Sequence, residues 1–234
     1  MWPIDIELSC ATTGAAIRYT TDFTEPGESS GILYTSPVHI ARTTCIRAAA
    51  FLTNGIRSEA TTRTYFLIED VVNQPSDQSA NGFPSNWTTM AGYTRTADYE
   101  MDQRIVTNAL YSPTIRAHFG DIPTLSLVMD MKDVFDTDTG IYSNPQERGD
   151  NWERAASIEI FGPRSDRTGV VINCAVSIQG ELNRSPSVNK KHSFRFIFKA
   201  PYGPGKLVYP LFPGSKATRF DTFILRGMYG DSWV

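Results

Sequence analysis

The sequence predicts a mainly β chain: a small β-sandwich followed by a sheet-dominated α+β module. Short alternating segments bounded by turn residues recur between Ile4 and Tyr65. From Val170 to Phe198 two longer runs alternate with period two around a polar loop. Between these regions, Glu69 to Arg95 is rich in polar and turn residues and has no period. The expected division is therefore a sandwich at 1–68, a linker at 69–97 and a second module at 98–234.

The chain has 234 residues, 41% of them hydrophobic and 20% charged, an ordinary globular composition sufficient for one large or two small domains. A formal net charge of -3 argues against a nucleic-acid-binding stripe and a polybasic membrane patch. No apolar run approaches the roughly 20 residues of a membrane helix, so no transmembrane segment is expected. The opening Met1-Trp2-Pro3-Ile4-Asp5-Ile6 lacks the basic and apolar regions of a signal peptide. It falls almost inside the first strand, which suggests a piece of a longer reading frame.

In the first module, Ile4, Ile6, Leu8 and Cys10 alternate, Gly14 turns the chain, and Ala16–Thr20 is the next strand. Asp22-Phe23-Thr24-Glu25-Pro26-Gly27 is a turn, and Ile32–Tyr34 and Val38–Ile40 are split by Ser36-Pro37. Thr44–Phe51 alternates clearly, and Thr62–Phe66 closes the set. Strand parity places Cys10 inward with Ile6 and Leu8, and Cys45 outward beside Arg47, so the two are not expected to pair. Cys174, on the apolar face of its strand, reads as a small core residue.

Phe83 and Trp87 stand out in the linker as aromatics able to pin it to the second module by packing. Asp102–Leu110 and the segment from Ser112-Pro113 to Gly120 read as short helices, the second with serine as cap and proline in the first turn. Ile122–Met129 is a strand, Asp130–Phe135 a helical turn and Arg154–Phe161 another strand. Asp136, Asp138 and Glu147 do not fit a calcium loop, because Ile141 stands where the template needs glycine; they read as turn residues. His39, His118 and His192 are too far apart in sequence to suggest a zinc site. Gly203-Pro204-Gly205-Lys206 lacks P-loop spacing and reads as a turn.

The chain is organised around Val170–Phe198. Val170, Ile172, Cys174, Val176 and Ile178 share one face of a strand that Gly180 ends. Phe194, Phe196 and Phe198 share a face of the return strand, with Lys191, Ser193, Arg195 and Lys199 on the other. His192, in parity with the phenylalanines, reads as a packing residue rather than a base. As a hairpin, the apolar rows form a core face, and the opposite face presents Gln179, Lys191 and Arg195 near the loop. Two cations and loop amides beside a glycine can hold phosphate. A solvated sheet face with a surface loop accounts for the same residues.

Two resemblances add to this. Ile17-Arg18-Tyr19-Thr20-Thr21-Asp22 with Glu25-Pro26 is similar to the chitobiase/hexosaminidase C-terminal domain, which implies an immunoglobulin-like sandwich of bacterial extracellular proteins. Phe23 stands where that family usually has glycine, which implies a changed turn. Ser177-Ile178-Gln179-Gly180, Lys191-His192-Ser193-Phe194-Arg195, Tyr202-Gly203-Pro204-Gly205-Lys206-Leu207, Tyr209-Pro210-Leu211-Phe212-Pro213 and Phe220-Asp221-Thr222-Phe223-Ile224-Leu225-Arg226 resemble the CotH family of spore-coat-type atypical protein kinases. Gly140–Pro145 and Arg148–Arg154 fit the same family.

The CotH resemblance implies the N-terminal part of such a module in a bacterial cell-surface or extracellular protein. The parent would use ATP and Mg to phosphorylate a protein substrate. Gly180, Ser185, Lys191 and Arg195 are the nucleotide-binding candidates. No catalytic or metal-ligating residue is assigned, because the family's metal-binding acids and catalytic aspartate lie beyond Val234. This chain alone is therefore expected to be inactive and to bind no cofactor. Glu181 departs from the small residue common after that glycine, and its charge opposes phosphate. The alternative is a non-catalytic adhesion or carbohydrate-associated module, with cell-surface polysaccharide as partner.

Overall fold

The computed structural model describes residues 3–88, 92–163, 169–189, 191–212 and 214–227. Pro213 of the CotH-like motifs and the terminal Asp231–Val234 lie outside them. The chain is mostly β, with several antiparallel sheets. It divides into two compact units: Met1–Asp77 with Asp98–Val128 and Glu159–Gly169, and Gln78–Ala97 with Met129–Ile158 and Val170–Val234. Among the described residues, no helix is long and apolar enough to cross a membrane.

In the first unit, β1 (Ile4–Ile6) pairs with β4 (Val38–Ile40). A second sheet has the order β3 (Ile32–Leu33), β2 (Ala16–Thr20), β5 (Thr44–Phe51), β6 (Thr61–Tyr65). These are the segments that the alternation marked, and together they make the small sandwich.

The faces of β5 differ from expectation. Cys45, Arg47, Ala49 and Phe51 are all buried, and so is Ile46 on the opposite face. Ala48 and Ala50 on that opposite face are only half-buried, so the period was right and the inward side was the reverse of the one expected. Arg47 tolerates burial because its Nη1 donates to the Phe23 carbonyl at 2.8 Å and its Nη2 faces Glu25 at 3.5 Å. Cys45 lies opposite Thr64, and burial pushes its thiol up to about 11. Cys10 is exposed rather than inward. β1 ends at Ile6, so strand parity no longer governs Cys10.

Nor is the turn at Phe23 rebuilt to avoid a left-handed residue. Phe23 itself takes φ 71°. The neighbouring backbone is tied down: Asp22 Oδ1 accepts from Thr24 N at 3.1 Å and Thr24 Oγ1 at 2.6 Å.

The stretch read as a linker carries α1 (Ile68–Val72), a 3₁₀ turn at Ser79–Asn81 and a hairpin of β7 (Asn86–Thr88) with β8 (Thr94–Thr96). In α1, Val72 is fully buried and the Asp70 carboxylate accepts from the Thr43 amide. In the second unit, Phe83 packs edge-on against Phe135 and Trp87 against Tyr142, with centroids at 6.4 and 5.6 Å.

Further along, α2 (Gln103–Val106) starts at Asp102, whose side chain accepts from the Arg104 amide, and stops well short of Leu110. α3 (Ser112–His118) has its proline in the first turn, with Tyr111 at the cap position expected for Ser112. β9 is Thr124–Val128, and α4 (Met131–Phe135) is capped by Asp130. Asp136 is a turn residue: its Oδ1 accepts from the amides of Asp138 and Thr139 and from the Thr139 hydroxyl. β10 is Arg154–Phe161 and β11 Gly169–Gln179.

In the second unit, β11 and β12 (Ser193–Ile197) form the expected antiparallel hairpin. Val176 pairs with Phe196, Ile178 with Phe194 and Ser177 with Arg195. Cys174, Val176 and Phe196 are fully buried on the apolar face. Ala175 is fully buried on the other, so the polar face is closed at mid-strand. Past β12, Gly203 sits where a Cβ would meet the Asn173 carbonyl oxygen at 2.1 Å, so the turn it begins cannot carry a side chain there. β13 (Leu207–Val208) pairs with β14 (Arg219–Phe220), and β15 (Thr222–Leu225) pairs with β12, stacking Phe223 on Phe196 at 4.8 Å.

Candidate functional site

The hairpin loop, Glu181–Asn189, is folded onto itself. Gly180 leads into it with φ 126°, where a Cβ would meet the Asn183 side chain at 3.0 Å. The Ser185 amide donates to the Leu182 carbonyl at 3.0 Å, and the amides of Val188 and Asn189 donate to the Ser185 carbonyl at 3.0 and 2.9 Å. The donors expected to meet a phosphate are therefore committed within the loop. Lys191 is exposed just before β12, its amide donating to Asn189 Oδ1 at 3.3 Å. Arg195 is exposed on β12 and donates through Nε to Thr222 Oγ1 at 3.3 Å. Gly180 and Ser185 thus shape a closed loop, with Lys191 between it and the return strand and Arg195 on that strand.

Sequence reasoning missed Arg184, which anchors this loop. Its guanidinium is buried and donates to the carbonyls of Gly180 at 2.7 Å, Pro145 at 2.9 Å and Glu147 at 2.8 Å, and to that of Ile178. A planar fork with five donors suits a loop whose carbonyls converge. A second arginine, Arg148, holds Glu181 from outside through bonds of 2.8 and 2.9 Å. These bonds hold the Glu181 carboxyl below the usual range and offset the charge that opposes phosphate. No spacing rule marks either arginine.

His192 takes the packing role expected of it. It is buried, its ring lies 4.8 Å from that of Tyr142, and Nδ1 donates to the Asn183 carbonyl at 3.1 Å. Desolvation lowers its pKa, opposed by the bond to Asn183; the nearby Arg184 cation adds to the lowering.

In the first unit, a cleft of about 250 Å³ opens on the outer face of β5. Ile17, Ile46, Ala48 and Ala50 line it, with Tyr65 and Arg63 from β6. The small alanine side chains leave the space. Cys10 also borders it.

Residues 6–65 match the model of the Fn3-associated family, so the chain carries a β-sandwich accessory module there. Comparison with curated proteins and with solved structures finds no match.

Proposed function

We propose that this chain is part of a larger bacterial surface or extracellular protein, in which the sandwich is a non-catalytic binding module. The cleft on β5 carries this reading: it sets apolar and aromatic groups beside the polar Arg63, Thr61 and Glu7, in the segment matching the Fn3-associated model. Cell-surface polysaccharide is the proposed partner, its apolar ring face set against Tyr65 and the alanines and its hydroxyls toward Arg63. Titration of soluble cell-wall polysaccharide fragments into the whole chain, followed by NMR, tests this. Binding that shifts Ala48, Ala50 and Tyr65 and is lost in Ala48→Phe is expected. Absence of binding, or equal binding by the variant, refutes it.

A second reading gains from the Arg148–Glu181 pair, which offsets the objection raised by Glu181. Here residues 98–234 form the N-terminal part of a CotH-like kinase module after a linker at 69–97, with Gly180, Ser185, Lys191 and Arg195 beside the nucleotide phosphates. The closed loop does not fit a phosphate through its committed amides, so Lys191 and Arg195 would supply the contact. ATP and Mg would belong to the full-length parent, which would phosphorylate a protein substrate; this chain alone transfers nothing. Calorimetry of ATP with Mg against the parent and its Lys191→Ala variant decides it, and equal affinities remove Lys191 from the site.

A further inference from the structure

We propose that the loop Glu181–Asn189 is a proton-responsive clasp, with His192 as its sensor. The loop has two separate fastenings. The inner one is buried: Arg184 gathers the carbonyls of Gly180, Ile178, Pro145 and Glu147, and next to it His192 Nδ1 donates to the Asn183 carbonyl. The outer one is the exposed Arg148–Glu181 pair.

The two fastenings answer differently to acid. A carbonyl only accepts, so His192 carries its proton on Nδ1, and a neutral ring meets the Asn183 bond in full. A second proton strengthens that bond, which opposes the lowering without outweighing it. The same proton places a buried charge near the Arg184 cation, with Tyr142 on the ring's other contact. The Tyr142 ring attracts an imidazolium weakly, but desolvation is the larger effect. Among the described residues, Arg184 is the charged group that acts on the ring; Lys191 adjoins His192 only along the chain.

A lowered histidine pKa means that the open loop binds the proton before the closed one. The clasp therefore holds fully above the ordinary imidazole value of about 6.5, and its hold weakens as pH falls from there toward the depressed closed-state value. Glu181 is shifted the other way relative to its charged form: Arg148 keeps it ionised below the usual carboxylate range. The inner fastening loosens first, while the outer one still stands. Opening frees the amides of Ser185, Val188 and Asn189 for an outside acceptor.

The test is amide hydrogen exchange on the whole chain, expressed as protection factors corrected for intrinsic rates, at Ser185, Val188 and Asn189 from pH 7.5 to 5.5. Protection should fall by up to about tenfold at pH 5.5, one unit below the open-state value. In His192→Gln it should be independent of pH across this range, whatever its absolute level, so a weakened loop does not obscure the result. NMR titration of the His192 ring in the native chain should give a value below that of an exposed imidazole. Constant protection in the native chain, an equal fall in His192→Gln, or a ring that titrates at or above the ordinary value overturns the proposal.

Discussion

Arg148 holds Glu181 by two parallel hydrogen bonds, 2.8 Å from Nη1 and 2.9 Å from Nη2, across a sequence separation of 33 residues. Both side chains are largely exposed, at 52% and 80%. Such a pair in water contributes little to global stability, and its consequence is local. It fixes the charge at the entrance of the hairpin loop and ties the Arg148 segment to the residue after Gly180. The Glu181 carboxyl should titrate below the usual range, by carbon-detected NMR, and return upward in Arg148→Gln. Because its folded value is depressed, its contribution is present above the unfolded value and disappears as pH falls through the folded one. An unchanged Glu181 titration in the variant would show that the pair does not persist in solution.

Cysteine reactivity checks the corrected faces. Cys10 is exposed, whereas burial pushes the Cys45 thiol up to about 11 and the Cys174 thiol up to about 12. At pH 8 an alkylating reagent should label Cys10 in the native chain, and Cys45 and Cys174 only after denaturation, since thiolate is the reacting form. Native labelling of Cys45 would restore the outward orientation read from parity.

The hairpin offers a paired comparison on one strand. Phe196 is fully buried opposite Val176 and stacked on Phe223, whereas its neighbour Arg195 points to the exposed side. Phe196→Ala leaves a cavity and should cost about 3–5 kcal/mol in chemical denaturation. Arg195→Ala should cost much less, since it is exposed and its bond to the Thr222 hydroxyl is a long one. Equal losses would mean that the two faces are not distinct.

The hairpin was legible because period two over Val170–Gln179 and Phe194–Phe198 leaves one register that buries both apolar rows. The sandwich strands were legible from their spacing and turns. The side of Cys45 was not, because which face of β5 is covered depends on segments distant in sequence. The site was legible only as residue types. Arg195 sits on the return strand and Lys191 lies just before it, but the state of the loop depends on Arg184 and Arg148. Their partners lie 37–39 residues away at Pro145 and Glu147, and 33 residues away at Glu181. Neither a motif nor a period records such pairings.

Phe23 permits a test in which the usual order of two substitutions reverses. It holds φ 71° without being glycine, a conformation that places an L residue's Cβ against its own backbone. Its carbonyl accepts from Arg47, so this backbone geometry serves the buried guanidinium of β5. Removing the ring to alanine keeps the backbone strain; removing it to glycine relieves that strain, about 1–2 kcal/mol for a left-handed residue. Glycine also loosens the unfolded chain, at a cost of about 0.4–1 kcal/mol. Both variants lose the same ring contacts, so their difference isolates the backbone. Phe23→Gly should therefore be more stable than Phe23→Ala by about 0.5–1 kcal/mol in urea denaturation of the whole chain, opposite to the order found in ordinary extended or helical positions. If the alanine variant is the more stable, the residue does not hold a left-handed conformation in solution, and the Arg47 bond to its carbonyl must be made from a different turn.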